Sequence, residues 1–115
     1  MVTKIAFHEA EIASHWHKDD QIGLCFEGAC TDDAADLKVV VIAKAVAGIR
    51  VDDAAVSRLD FPPLDNEVLS LSSHPDRIEI LIEFFDYETR EKTLRHVEIF
   101  AAVVEYYTET TYDHP

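Results

Sequence analysis

The residue types best suited to chemistry crowd near the start of the chain. His8, Glu9, Glu11, His15, His17, Asp19 and Asp20 fall within thirteen residues. On a strand, His15 and His17 share a face, with side chains about 6–7 Å apart from the strand rise. Joined by His8 or by a carboxylate, such a pair is a ligand set for a divalent transition metal. The plainer reading is two exposed histidines on a solvated strand that runs into a polar turn. Cys25 and Cys30 are too few for a structural zinc site, and their spacing is not that of a redox C-x-x-C. They read as packing thiols. A nucleophilic Cys25 would need a cross-strand imidazole from His15 or His17. The acid pairs Asp19-Asp20, Asp32-Asp33 and Asp52-Asp53 read as turn residues, because a short carboxylate bonds its own backbone nearby.

The C-terminal stretch mixes tyrosines with acids. Glu105, Tyr106, Tyr107, Glu109 and Tyr112 suit a partner-binding strip, since tyrosine supplies large contact area at low entropy cost. An edge strand with a frayed tail is the alternative. No nucleophile elbow, phosphate-binding loop, dinucleotide fingerprint, zinc-protease helix or calcium loop occurs in the chain. The reading therefore leans away from an enzyme without settling the matter, and it names no catalytic residue and no cofactor. The alternative is a metal held by His8, His15 and His17.

Charge narrows the partners. The 115 residues carry 23 acids against 10 bases, a formal charge of −13. Polyanions are bound through Lys and Arg that displace counterions, so nucleic acid and anionic membranes are disfavoured. A basic protein is favoured, because complementary fields speed encounter. No apolar run reaches the length of a membrane helix, and residues 1–12 do not read as a secretory signal, which makes the cytoplasm the expected compartment.

The elements that must position these residues are short runs of period two, separated by polar clusters. Glu11–His17 alternates, with Ile12, Ser14 and Trp16 on one side and Ala13, His15 and His17 on the other. Trp16 then faces the core. Lys18–Gln21 reads as a hairpin loop into Ile22–Glu27, which places Cys25 opposite Leu24 and Phe26. Leu37–Lys44 contains Val39-Val40-Val41-Ile42, suited to a strand buried on both faces. Residues 48–51 extend or pair with it. Val68–Ser72 alternates, and Arg77–Phe85 sends Ile78, Ile80, Ile82 and Phe84 to one side. Thr93–Glu105 fits a strand or a helix. The preceding hairpin and its β-branched residues favour the strand. Asp52 or Asp53 is positioned to cap a short helix over Asp53–Leu59. The sum is one globular domain over residues 1–115, mainly β. It reads as an antiparallel sandwich or curled sheet of about seven strands, with one short helix.

The opening Phe7-His8-Glu9-Ala10-Glu11-Ile12 and the strand with its Asp-Tyr turn over Glu79–Tyr87 resemble a loose set of small bacterial β-rich domains. Some of these resemble immunity proteins, which bind and block a cognate toxin. The resemblance implies a small binding protein and carries over no functional residue. Three readings result. The first is an acidic binding protein, in its sharpest form an immunity-type inhibitor of a basic protein. The second is a metal-binding domain centred on the N-terminal histidines. The third is a structural domain that oligomerises through an exposed edge strand.

Overall fold

The structure, a computed structural model, describes residues 5–108. Seven strands succeed one another: β1 (Glu11–Lys18), β2 (Gln21–Ala29), β3 (Leu37–Val51), β4 (Ala54–Val56), β5 (Asp65–His74), β6 (Arg77–Asp86) and β7 (Glu91–Thr108). They form one antiparallel sheet in the order β1-β2-β3-β7-β6-β5, with β4 paired to β3 off this path. The sheet is not closed into a barrel, and the described residues contain no helix. Of the two architectures expected from the sequence, the curled sheet is the one formed.

Period-two patterning does most of the work. Ile78, Ile80, Ile82 and Phe84 of β6 all lie on the inner face and are fully buried. Each contributes about 1.5–3 kcal/mol by leaving water. Their neighbours Val97, Ile99 and Ala101 of β7 and Ile22, Leu24 and Phe26 of β2 complete the inner layer. Val39, Val40, Val41 and Ile42 are buried on both faces, as their unbroken β-branched run requires. The ambiguous segment after the β6–β7 hairpin is strand throughout: β6 pairs with residues 91–100 and β3 with residues 97–108, so one neighbour or the other holds its backbone along its whole length.

Curling brings the two ends of the sheet together. The backbone of Glu9 donates to the Val68 carbonyl at 2.9 Å, and Val68 donates to Ala10 at 2.6 Å. The Asn66 amide of β5 then copies a ladder rung: its Nδ2 donates to the Ile12 carbonyl at 3.0 Å, and its Oδ1 accepts from the Ile12 N–H at 2.8 Å. Phe7, entering ahead of β1, packs edge-on against Phe26 with ring centroids 4.9 Å apart.

The structure corrects two expectations. The first concerns β1. Its register shifts between Ile12, opposite Phe26, and Ser14, opposite Cys25. Ala13 is the extra residue of a bulge, and a bulge reverses the faces of the residues beyond it. His15 and His17 therefore lie opposite Leu24 and Ile22 on the inner side, while Trp16 lies opposite Gly23 on the outer side. Trp16 does not face the core. The second correction concerns Asp53–Leu59. Asp52 and Asp53 both have positive φ (52° and 67°) and make a two-residue hairpin turn, not a helix cap. Residues 54–56 pair back onto Val51, Arg50 and Ile49 as β4.

The long strands bend as well. Ala45 has φ of 54°, and the β3–β7 register shifts between Val46 and Gly48. The β1–β2 turn docks on this kink through a bond from the Val46 N–H to the Asp20 carbonyl at 2.9 Å. Core-facing residues thus run Ala43, Val46, Ile49 along β3.

Candidate functional site

The N-terminal histidines are not gathered into one ligand set. His8 Nδ1 lies 3.0 Å from the Leu69 carbonyl. The His15 ring packs edge-on against Phe61, with centroids 5.0 Å apart, and Phe61 in turn meets Phe84. His17 lines a shallow cleft with Asp19, Asp20 and Ser57. Cys25 sits opposite Ser14 on the outer face, so the sheet backbone separates it from both His15 and His17. Cys25 and Cys30 are both free thiols.

The C-terminal candidates divide. Glu109 and Tyr112 lie outside the described residues. Tyr106, opposite Val41, is on the inner side near Phe7 (6.3 Å between ring centroids). Glu105 and Tyr107, opposite Ile42 and Val40, are on the outer side. There the Tyr107 hydroxyl donates to Glu105 Oε2 at 2.6 Å, and Lys44 forms an ion pair with Oε1. The Lys44 contact, then the Tyr107 hydrogen bond, hold the Glu105 carboxyl below its ordinary range. Glu105 is thus engaged within the molecule.

Two groupings stand out instead. The first is a polar array on the outer face of β5, β6 and β7. Glu79 of β6 sits between two imidazoles: its Oε1 lies 2.7 Å from His74 Nε2 and its Oε2 2.6 Å from His96 Nε2. An ionised carboxylate only accepts, so both nitrogens carry the proton. Hydrogen bonds from His96 and then His74 lower the pKa of Glu79 against the cost of its partial burial. Beside it, Arg77 Nε donates to Glu98 Oε2 at 3.0 Å, and Arg77 Nη1 to Asp76 at 2.9 Å. Glu98 is the one buried charged side chain among the described residues (9% exposed). The guanidiniums of Arg50 and Arg77 both lie over the Phe100 ring, 5.6 and 5.9 Å from its centroid. The β3–β4 turn closes the array: Asp52 Oδ1 accepts from the His96 N–H at 2.9 Å, and Asp53, His96 and Glu98 each offer a ligand atom within 4.8 Å of the others.

The second grouping is acidic and lies at the seam where β1 meets β5. Two adjoining depressions share Glu11, Asn66 and Glu67. One continues to Asp65, Glu83 and Tyr87, and the other to Glu9, Glu27 and Asp36. Among the described residues, seven carboxylates line the groove, and Lys38 and Lys92 are the cations on its walls. Lys38 lies 3.8 Å from Glu27 and Lys92 3.8 Å from Glu83. Among the described residues, Glu11, Asp36 and Glu67 form no ion pair. The neighbouring Asp65 carboxylate, through its interaction with the hydroxyl and its negative charge, raises the Tyr87 pKa.

Neither grouping is visible along the chain. His74, Glu79 and His96 are separated by hairpins, and Asp53, Glu98 and Arg77 by more. Only the register places them together: Glu79 opposite Glu98, Leu81 opposite His96, and His74 opposite Arg77. The one signal along the sequence is the outward face of Arg77–Phe85, which carries Arg77, Glu79 and Glu83. The acidic groove depends on the curl that joins the first strand to the fifth.

No family model, no curated protein and no solved structure matches this chain. No helix among the described residues is long and apolar enough to cross a membrane.

Proposed function

We propose that this protein is a non-enzymatic binding protein that presents the acidic β1–β5 groove to a basic protein partner. The observation that carries the reading is the concentration of seven carboxylates around Glu11, Asn66 and Glu67, three of them without an ion pair among the described residues. Fixed like charges in a depression focus the field and raise the local concentration of a cationic ligand. The groove is also firmly held, because Asn66 bonds the backbone of Ile12 twice. A rigid acidic surface loses little entropy on binding. An immunity-type inhibitor that occludes the cationic cleft of a toxin is the specific form of this reading. The groove displaces Glu105, Tyr106 and Tyr107 as the first choice of contact surface, since Glu105 is engaged with Lys44 and Tyr107.

The test separates the groove from net charge. A short lysine-rich peptide is titrated while amide shifts are tracked by NMR. Two variants carry the same change in charge: Glu11→Lys/Glu67→Lys in the groove, and Asp32→Lys/Asp33→Lys at residues that line neither depression. The groove variant is expected to lose binding and the control to retain it, with affinity falling as salt rises. Equal losses in the two variants would show that only total charge matters, and the proposal would fall.

A further inference from the structure

The geometry points to a divalent transition-metal site formed by Asp53, His96 and Glu98, with Glu79 as the positioning residue behind His96. The three ligand atoms lie within 4.8 Å of one another. A tetrahedral zinc at about 2.0–2.2 Å from each ligand needs them about 3.3 Å apart. Asp53 is exposed and stands on a two-residue turn, so its side chain is free to close the difference. One imidazole with two carboxylates is a donor set for zinc or a similar borderline ion, with a fourth position left to water.

Two further observations single out this place from the many exposed acids. The first is Glu98. It is buried on the outer sheet face, and among the described residues its one side-chain bond is from Arg77 to Oε2. Arg77 already supplies the charge compensation that this burial requires, and Oε1, which forms no hydrogen bond among the described residues, is the oxygen left for a cation. The second is the Glu79–His96 contact at 2.6 Å. A carboxylate on the far nitrogen of a ligating histidine fixes the ring and its tautomer and strengthens it as a donor. With Nε2 engaged by Glu79, the ring presents Nδ1 to the metal. The surrounding charges set the affinity. Asp52 and Asp76 favour a cation. Arg50, Arg77 and Arg95 oppose it, and so does His74 when protonated. A modest, reversible site is the expectation, not a structural one that the fold requires. This inference is independent of the acidic groove, which lies at the β1–β5 seam and shares none of these residues.

The experiment uses zinc chloride and untagged protein, with thermal melting and calorimetry as readouts. Zinc bound to the native state alone raises Tm progressively with concentration. One equivalent per chain is expected. Asp53→Asn, which keeps a turn-compatible residue, should lose binding at least tenfold, and Glu79→Gln should weaken it by about 10-fold. His15→Ala/His17→Ala should bind as the parent does. Because Glu79 also bridges His74, its variant is read by NMR as well: zinc should shift the His96 ring resonances in the parent and less in Glu79→Gln. Three results would overturn the proposal: no saturable binding up to millimolar zinc, binding unaffected by Asp53→Asn, or binding abolished only by the His15/His17 change.

Discussion

Replacing Gly23 with alanine should unseat Trp16, and the effect should reverse when Trp16 is absent. A Cβ built on Gly23 would lie 2.1 Å from Trp16 Cε2, 2.3 Å from Nε1 and 2.4 Å from Cζ2. Carbon atoms in good contact sit about 3.5–4.0 Å apart. The indole must therefore retreat by more than an ångström, and being half-exposed it has somewhere to go. If about 100 Å² of ring surface returns to water, the loss is about 2–3 kcal/mol. Alanine regains about 0.5–1 kcal/mol over glycine in a strand, which leaves a net destabilisation of about 1–2 kcal/mol. In a Trp16→Ala background only the gain remains, so Gly23→Ala becomes neutral or stabilising. Urea unfolding monitored by far-UV circular dichroism gives all four corners of this cycle. Emission from Trp16, the sole tryptophan, should move to the red in Gly23→Ala. The cycle tests more than one contact. Trp16 reaches Gly23 only because the Ala13 bulge turns it outward, and the same bulge turns His15 and His17 inward. Unchanged emission and stability in Gly23→Ala would refute that register.

Other consequences are more direct. Ile80→Ala empties a fully buried position and should cost about 2–5 kcal/mol by chemical denaturation, whereas Leu81→Ala on the outer face should cost clearly less. Asn66→Ala removes both bonds to Ile12 and should cost about 1–3 kcal/mol, with faster hydrogen exchange at the Ile12 amide as its local signature. For Glu105 the folded pKa lies below the ordinary 4.5, so its stabilising effect is complete above that value and is lost as pH falls through the folded pKa. Lys44 shifts the other way, so its share is present below 10.5 and is lost as pH rises past its folded value. Glu105→Gln should flatten the acid limb below pH 4.5 and the alkaline limb together. If only one limb changes, the pair is not the cause.

Much of the fold was legible because its information is local. Ile78, Ile80, Ile82 and Phe84 alternate without interruption, and strand β6 forms as that pattern demands. The turns at Asp19-Asp20 and Asp52-Asp53 announce themselves by composition, and both make hairpins. What failed to read was phase. Ala13 looks like any strand residue, yet as a bulge it exchanges the faces of Trp16 and the two histidines. Asp52-Asp53 has the chemistry of a helix cap and of a tight hairpin turn alike. Only the pairing of residues 54–56 with β3 selects the second, through the positive φ of both acids. The site was less legible still, because Glu79, His74 and His96 are neighbours through ladder register, which no single strand encodes.

The division of charge explains how a chain of net charge −13 forms a sheet at all. Cross-strand like charges destabilise a ladder, and the β6–β7 register sets Glu79 directly opposite Glu98. That clash is relieved on both sides: His74 and His96 take the two oxygens of Glu79, and Arg77 takes Glu98. Farther along, Lys92 is within 3.8 Å of Glu83, Arg95 within 3.3 Å of Asp52, and Lys44 pairs with Glu105. Arg77, Lys92 and Lys44 thus meet acids on the outer face of β3, β6 and β7. Among the described residues, the seam between β1 and β5 has Lys38 and Lys92 as its cations, and most of its carboxylates stay open to solvent. Acids that served solubility alone would gain nothing from being gathered around one rigid depression while cations elsewhere are committed to the sheet. Among the described residues, the same placement leaves Asp53 without an ion pair beside His96 and Glu98. The groove thus lies where positive charge is scarce, whereas the proposed metal site lies among Arg50, Arg77 and Arg95 and must bind its ion against them.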